Sequence, residues 1–293
     1  MLYCLKKGVL TVILREIAIN PSDFSISKAN RPDVRYVCDS HYHDTYEIYY
    51  LVSGTRRQFV DHKIYDIRKG DMILIPKRVI HKTTAIDKNQ HTRYLLSFSE
   101  SFVQSIWNDM DNSVLEKVFS EVKISIPESR REYVLGLLEK ISEESLTVGT
   151  DPYSVRMLKN YILELLVFIC RWHEKNPVGE AAHEIPEEKI QLAAKYIYEN
   201  FNNEVTLGEV ASYVYMSETY FSKKFKKVTG LSFREYLTSI RIKMADEMLL
   251  ETKKSISAIA EECGFGDANY FGDVFKKIKG VSPLRYRKFR GRP

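Results

Sequence analysis

The 293-residue sequence holds no apolar run close to the roughly 20 residues a membrane-spanning helix needs. The nearest approach is GVLTVIL, residues 8–14, which follows Lys6 and Lys7 as the start of a signal peptide would. It is short, closed by Arg15 and Glu16, and followed by no small-residue cleavage pattern, so it reads as a strand. Cysteine is sparse. Cys4, Cys38, Cys170 and Cys263 lie too far apart for a metal-binding spacing and are too few for a disulfide framework. That usage suits a reducing, cytoplasmic setting without a membrane partner. Gly (13) and Pro (9) are scarce and aperiodic, which excludes collagenous and low-complexity chains.

What is present is an ordinary globular composition, 44% hydrophobic and 28% charged, in a chain long enough for two cored domains. Charge is unevenly placed. From Glu187 on there are 19 Lys and Arg against 14 Asp and Glu, whereas the preceding residues balance, so the whole formal excess of +5 lies in the last third. A basic excess of this size points weakly to a polyanionic partner.

Periodicity divides the chain. Residues 46–54 (YEIYYLVSG), 57–67 (RQFVDHKIYDI) and 71–76 (DMILIP) are rich in aromatic and β-branched residues, punctuated by Gly54 and Lys69–Gly70–Asp71, and predict short strands of a sandwich or barrel. Beyond about Ser101 the period becomes helical. Tyr133, Leu137, Leu138 and Ile141 share one predicted face; Val155, Leu158, Ile162, Leu165, Leu166 and Ile169 form a second, longer stripe. Residues 177–186, with their Pro and Gly, read as a linker. Everything from Glu187 on is helical in period.

The tail contains a duplication. YFSKKFKKVTGLSFREY begins at Tyr220 and YFGDVFKKIKGVSPLRY at Tyr270. Eight identities recur at an offset of 50, and upstream Thr206, Leu207 and Ala211 match Ser255, Ile256 and Ala260 at an offset of 49. Each copy reads as helix, turn, helix. Thr206 and Ser217 cap the helices of the first, Ser255 and Asp267 those of the second, and Gly264 supplies a left-handed turn. Two short helices joined by a tight turn form the unit whose second helix enters a DNA major groove.

The spacing sets the faces. Phe221, Phe225 and Val228 are expected inward, as are Phe271, Phe275 and Ile278. The opposite face carries Thr219, Ser222, Lys223 and Lys226 in the first copy and Asn269, Gly272, Asp273 and Lys276 in the second. Lysine suits guanine acceptors or phosphate, and asparagine suits adenine, so these eight are the candidate DNA contacts. The simpler alternative is a solvated lysine face, which the repetition of the pattern disfavours. Between the copies, residues 232–250 predict an amphipathic helix with Phe233, Leu237, Ile240, Met244 and Met248 inward. Its length of ~27 Å could hold two reading helices near one DNA turn apart.

On these motifs the tail, with MSETYFSKKFKKVTGLSFREYL, RIKMADEML and SISAIAEECGFGDANYFGDVFKKIKGVSPLRYR, closely resembles the DNA-binding domain of AraC/XylS-type bacterial transcription regulators. The resemblance implies two helix-turn-helix units contacting adjacent major-groove segments. The chain departs from it at Gly272 and Asp273, where the family usually has small polar and basic residues.

In the front part, HYHDTYEIYYLVSG places His41, His43 and Glu47 at even spacing, on one side of a predicted strand, and GDMILIPKRVIH ends in His81. This is similar to the two cupin motifs, although Arg78 and Ala85 stand where glycine and asparagine are usual. Three readings stay open: a small-molecule pocket, a set of satisfied structural histidines, or a divalent metal site in a metal-dependent cupin enzyme with a helical interaction module. The regulator resemblance implies the first, with no metal and no cofactor. Candidate effector contacts are then His41, His43, Glu47, Tyr49, Arg78 and His81, with Tyr46 and Tyr50 as neighbours.

The expected architecture is therefore α+β and multidomain: a cupin-like β-barrel sensor over residues 1–125, a helical dimerisation segment over 126–176, a linker over 177–186, and an all-α DNA-binding domain over 187–293 with units at about 206–228 and 255–278. The expected function is sequence-specific transcription regulation, not catalysis. Expected partners are double-stranded DNA, a small-molecule effector with sugars among the candidates, a second copy of the chain and RNA polymerase. An alkyl-transfer DNA-repair activity would need clustered zinc-binding cysteines and a reactive one, which the scattered cysteines do not provide.

Overall fold

The structure is a computed structural model that describes residues 2–6, 9–18, 23–31, 42–87, 89–104, 113–176 and 187–290. The chain divides into two compact units that meet in sequence between Pro186 and Glu187. His41 and the 177–186 segment lie outside the described residues.

The first unit carries strands β1 (Leu2–Lys6), β2 (Val9–Ala18), β3 (Phe24–Arg31), β4 (Tyr46–Ser53), β5 (Thr55–Val60), β6 (Lys63–Arg68), β7 (Asp71–Ile75), β8 (His81–Thr84), β9 (His91–Phe98) and β10 (Lys123–Ser125). Its helices are α1 (Glu100–Gln104), α2 (Ser113–Val118), α3 (Glu128–Glu144) and α4 (Ser154–Lys175). Residues 8–14 fall largely in β2. The expected single strand over 57–67 is instead a hairpin: Asp61 adopts φ 60°, a left-handed turn conformation that ends β5 before β6 begins.

The barrel expectation needs correction. The described strands form two open sheets, one of seven strands in the order β1-β2-β3-β9-β4-β7-β10 and one of three in the order β6-β5-β8. Among the described residues the outer strands of the large sheet do not pair with the small one, so no cylinder closes. The sheets instead pack face to face. Tyr49 and Leu51 of β4, Ile73 and Ile75 of β7, Val60 of β5 and Ile67 of β6 form one buried cluster.

Because side chains alternate along a strand, β4 and β7 send their other residues to the opposite face. There Tyr46, Ile48, Tyr50, Met72 and Leu74 join Val134, Leu137, Leu138 and Ile141 of α3 and Leu158, Ile162, Leu165, Leu166 and Ile169 of α4 in the largest core. The long leucine-rich stripe of α4 thus covers its own sheet. Each of these fully buried aliphatics contributes about 1.5–3 kcal/mol by leaving water. Tyr133 and Val155, expected in the stripes, are exposed instead, and Val134 takes the inward place on α3.

The second unit is all helical: α5 (Glu188–Glu199), α6 (Leu207–Tyr213), α7 (Glu218–Thr229), α8 (Phe233–Glu251), α9 (Ile256–Glu262), α10 (Ala268–Lys279) and α11 (Pro283–Arg290). All four expected caps are present. Thr206, Ser217, Ser255 and Asp267 each accept from a backbone N–H of the first turn, and Glu209 completes a capping box at Thr206. Gly230 and Gly280 end α7 and α10 in left-handed conformation.

Candidate nucleic-acid interface and sensor cluster

The two helix-turn-helix units are α6–α7 and α9–α10. Their turns are conformationally matched but chemically unequal. Gly264 takes φ 76° and Tyr215, at the equivalent place, takes φ 57°. A Cβ at Gly264 would lie 2.8 Å from the Phe201 carbonyl oxygen, so only glycine fits there.

Phe221, Phe225 and Val228 of α7 are buried, with the Phe221 and Phe225 rings 5.4 Å apart. In α10, Phe271 and Phe275 are buried with centroids 5.6 Å apart, but Ile278 is 48% exposed, against the expectation. It is not among the residues of the core that α10 shares with α8, α9 and α11.

The opposite faces lie open. Thr219, Lys223 and Lys226 of α7 are exposed and Ser222 is half-buried; Asn269, Asp273 and Lys276 of α10 are exposed and Gly272 is half-buried. Among the described residues Lys223, Lys226 and Lys276 form no ion pair, whereas the neighbouring Lys224 is held 2.7 Å from Glu187 and Lys279 is held 2.6 Å from Asp246. A Cβ at Gly272 would meet nothing within 4 Å, so no packing within the chain requires a glycine there.

Helix α8 serves both units. Its early residues Tyr236, Leu237 and Ile240 are buried, with Tyr236 5.8 Å from Phe225. Its later residues Ile242, Ala245 and Leu249 join Ile259, Phe265, Phe271 and Phe275 in a separate core. Phe233, Met244 and Met248, expected inward, are only half-buried, because the buried surface turns around the helix as it passes from one unit to the other.

In the first unit of the chain, His43, Glu47 and His81 converge. Glu47 lies on β4 of the large sheet and shares the face of Tyr49 and Leu51, between the sheets. Tyr46 and Tyr50 point to the helix-covered side, so of the three tyrosines only Tyr49 neighbours this cluster's face. His43 precedes β4 and reaches back, its Nε2 3.3 Å from a Glu47 carboxylate oxygen. His81 opens β8 of the small sheet, its Nε2 3.7 Å from the other Glu47 oxygen. The two imidazole rings meet edge to face at 5.0 Å.

Each ring is oriented from behind. His43 Nδ1 lies 2.8 Å from the Thr45 carbonyl oxygen, and His81 Nδ1 lies 2.8 Å from the Val79 carbonyl oxygen. Arg78 lies apart from the cluster. Its Nε donates to Asp44 over 3.0 Å, and its backbone N–H donates to the His43 carbonyl, bracing the loop that carries His43. Arg78 also adopts φ 62°, which accounts for the preference of the cupin motif for glycine at this position.

Sequence reasoning passed over two residues on the face between the sheets. Arg93 lies over the Tyr49 ring at 5.5 Å, and Gln58 is 1% exposed with its carbonyl oxygen accepting from Thr83. The signal for both was strand alternation, since Arg93 is in phase with Leu95 and Gln58 with Val60.

Cys263 is fully buried, and burial pushes its thiol up to about 11. It is unsuited to nucleophilic work. In the native protein at pH 8, Cys263 should be alkylated by iodoacetamide about a hundredfold more slowly than in urea, as mapped by mass spectrometry.

Comparison with known proteins agrees with this architecture. Residues 24–144 match the AraC-like ligand binding domain and residues 210–288 match a helix-turn-helix domain. The chain belongs to the AraC-type family: DNA-binding transcription regulators with an N-terminal ligand-binding domain. The Msm operon regulatory protein of Streptococcus mutans is 25% identical over 285 residues, covering 94% of this chain and 96% of that protein. The HTH-type transcriptional activator RhaR of Mannheimia succiniciproducens is 24% identical over 247 residues, covering 84% and 86%. Unsaturated fatty acid bound ToxT from Vibrio cholerae aligns over 93% of this chain and 96% of its own at 19% identity, with a TM-score of 0.38.

Proposed function

We propose that this regulator senses a small polar molecule, a sugar being the best chemical match, between its two sheets, and reads DNA unequally with α7 and α10. The supporting observation on the sensing side is the polar character of an otherwise apolar layer. Glu47, Gln58, His81 and Arg93 are all at least nine-tenths buried there. The amide nitrogen of Gln58 is buried without a hydrogen-bond partner among the described residues, a donor suited to a ligand hydroxyl. His43 and Tyr49 complete the contact set, with His41 as a further candidate. Such a pocket changes populations of the DNA-binding arrangement without catalysing a reaction.

The working state in this reading is a cytoplasmic homodimer that engages RNA polymerase at its promoters. The α4 stripe is occupied by its own sheet, so the second copy would use the outer side of α3 and α4. That side presents a groove of about 550 Å³ lined by Tyr133, Leu163, Val167, Phe168 and Trp172.

On the DNA side, Thr219, Ser222, Lys223 and Lys226 form a neutral-to-basic reading face, while Asn269, Gly272, Asp273 and Lys276 mix a carboxylate with one lysine. Gly272 allows close backbone approach, and Asp273 suits a cytosine amino group at the expense of phosphate repulsion. Lys223→Ala should lower operator affinity about tenfold or more, whereas Asp273→Ala should leave affinity unchanged or raise non-specific binding. Titration of selected duplexes with full-length protein at several salt concentrations measures both. Equal losses from the two substitutions would refute the unequal reader, and absence of duplex binding even at low salt would refute the reading as a whole.

A further inference from the structure

We infer that the groove on the outer side of α3 and α4 is a binding site for a small aromatic anion, and that the second copy pairs over the occupied groove. The effect on pairing rests on the reading of this side as the one the second copy uses; the binding site does not.

The groove has an aromatic lining. The Tyr133 ring of α3 lies 5.5 Å from the Phe168 ring of α4, and Phe168 lies 6.5 Å from Trp172, stacked at 27°. Leu163 and Val167 complete the apolar surface. Its volume of about 550 Å³ is that of a small-molecule site, whereas the pairing of two flat helix faces needs no hollow.

The rim is cationic. Arg130, Arg171 and Lys175 line it, with Glu164 as its single carboxylate. Glu164 accepts a hydrogen bond from the Tyr133 hydroxyl over 2.7 Å. Glu174, next to Lys175 in sequence, is held 2.6 Å from Lys117. Among the described residues the three cations are exposed and form no ion pair. Burial and the bond to Glu164 push the Tyr133 hydroxyl pKa up, and the Arg171 and Arg130 guanidinium groups oppose that rise, so both stand beside it. Helix dipoles do not account for the set. Lys175 suits the last turn of α4, but Arg171 stands four residues before it and repels it. Arg130 is in the first turn of α3, where a cation is unfavourable.

Two-fold pairing sets a patch against itself. Each empty groove would bring three cations and one engaged carboxylate, so like charges would meet as water is removed. An aromatic ring extends the row of Tyr133, Phe168 and Trp172, while its carboxylate groups accept from the guanidinium groups in bidentate pairs. A dicarboxylate balances the excess of positive charge in each groove.

The probe is terephthalate, titrated calorimetrically into full-length protein, with benzyl alcohol and inorganic phosphate titrated separately. One equivalent of terephthalate is expected to bind, about tenfold or more tighter than either alternative. Arg130→Gln and, separately, Arg171→Gln should each weaken it about tenfold, while Lys253→Gln, in the other unit, should leave it unchanged. Both arginines are exposed, so neither replacement removes a packed side chain. Absence of saturable binding, equal binding of benzyl alcohol or phosphate, or titrations unaltered in both arginine variants would overturn the site. Sedimentation equilibrium on the same samples measures pairing, expected about tenfold stronger with terephthalate. Protein that binds terephthalate with pairing unchanged supports the site and refutes the second copy as its cover. Protein that binds it and stays monomeric supports the site and refutes the pairing reading, and protein that pairs but binds no terephthalate refutes the site alone.

Discussion

Phe271→Ala is expected to lower the stability of the second helix-turn-helix unit by about 3–5 kcal/mol. Phe271 is completely buried, with Phe265 5.0 Å away on one side and Phe275 5.6 Å away on the other. Alanine would leave a ring-sized void that two neighbouring aromatics, themselves fixed in the core, cannot fill. A loss of this size is a large share of the roughly 5–15 kcal/mol that holds a domain together. The core it damages is confined to the later half of α8 and to α9, α10 and α11. The expected phenotype is therefore local. A hydroxyl-radical footprint on operator DNA should shorten to the segment read by α7, with thermal melting showing an added low-temperature transition. Phe289→Ala is the control, because Phe289 is 67% exposed and its loss should change stability by less than about 0.5 kcal/mol.

The second large effect concerns a charge in that core. Asp246 on α8 is 1% exposed, and Lys279 at the end of α10 approaches it to 2.6 Å. Removing one partner of a buried pair leaves the other charge without compensation. Lys279→Met alone should cost about 3–5 kcal/mol, Asp246→Ala a comparable amount, and the double variant much less than their sum. Urea denaturation of the four proteins gives the coupling directly. Additive losses would show that the pair contributes through packing and not through charge.

The local chemistry of this fold was legible before its tertiary chemistry. A cap such as Thr206 or Asp267 depends on a side chain and a backbone N–H three residues away, and the duplication displayed the pattern twice. Faces that depend on distant cover were less visible. Val228 and Ile278 occupy equivalent places in the repeat, and nothing in their own helices distinguishes them; whether such a place is covered depends on residues outside the helix, and Val228 is 1% exposed where Ile278 is 48% exposed. The inward position of Asp246 was hidden for the same reason, since an amphipathic reading assigns an aspartate to solvent unless Lys279 is known to meet it.

The front part follows the same rule. The even spacing of His41, His43 and Glu47 predicts one strand face, but His43 comes from the loop before β4, and His81 joins them from the other sheet. What orients their rings is a pair of backbone carbonyls, at Thr45 and Val79, to which residue identity is silent. Closure of a barrel likewise depends on pairing between strands far apart in sequence, and periodicity can supply strands without saying whether the last finds the first.

Arg241 lies at the joint of the duplicated domain. Its guanidinium donates 2.8 Å hydrogen bonds to the carbonyls of Phe201 and Asn203, beside the first unit, and sits over the Phe265 ring of the second at 5.9 Å. Tyr236, Leu237 and Ile240 before it belong to one core, and Ile242, Ala245 and Leu249 after it to the other. The border between the copies therefore runs through the middle of a helix, not through a loop. Chimeras that exchange one reader between relatives would need their crossover inside α8, near this arginine. A splice at the turn before α9 would pair each transplanted core with a foreign half of its own wall.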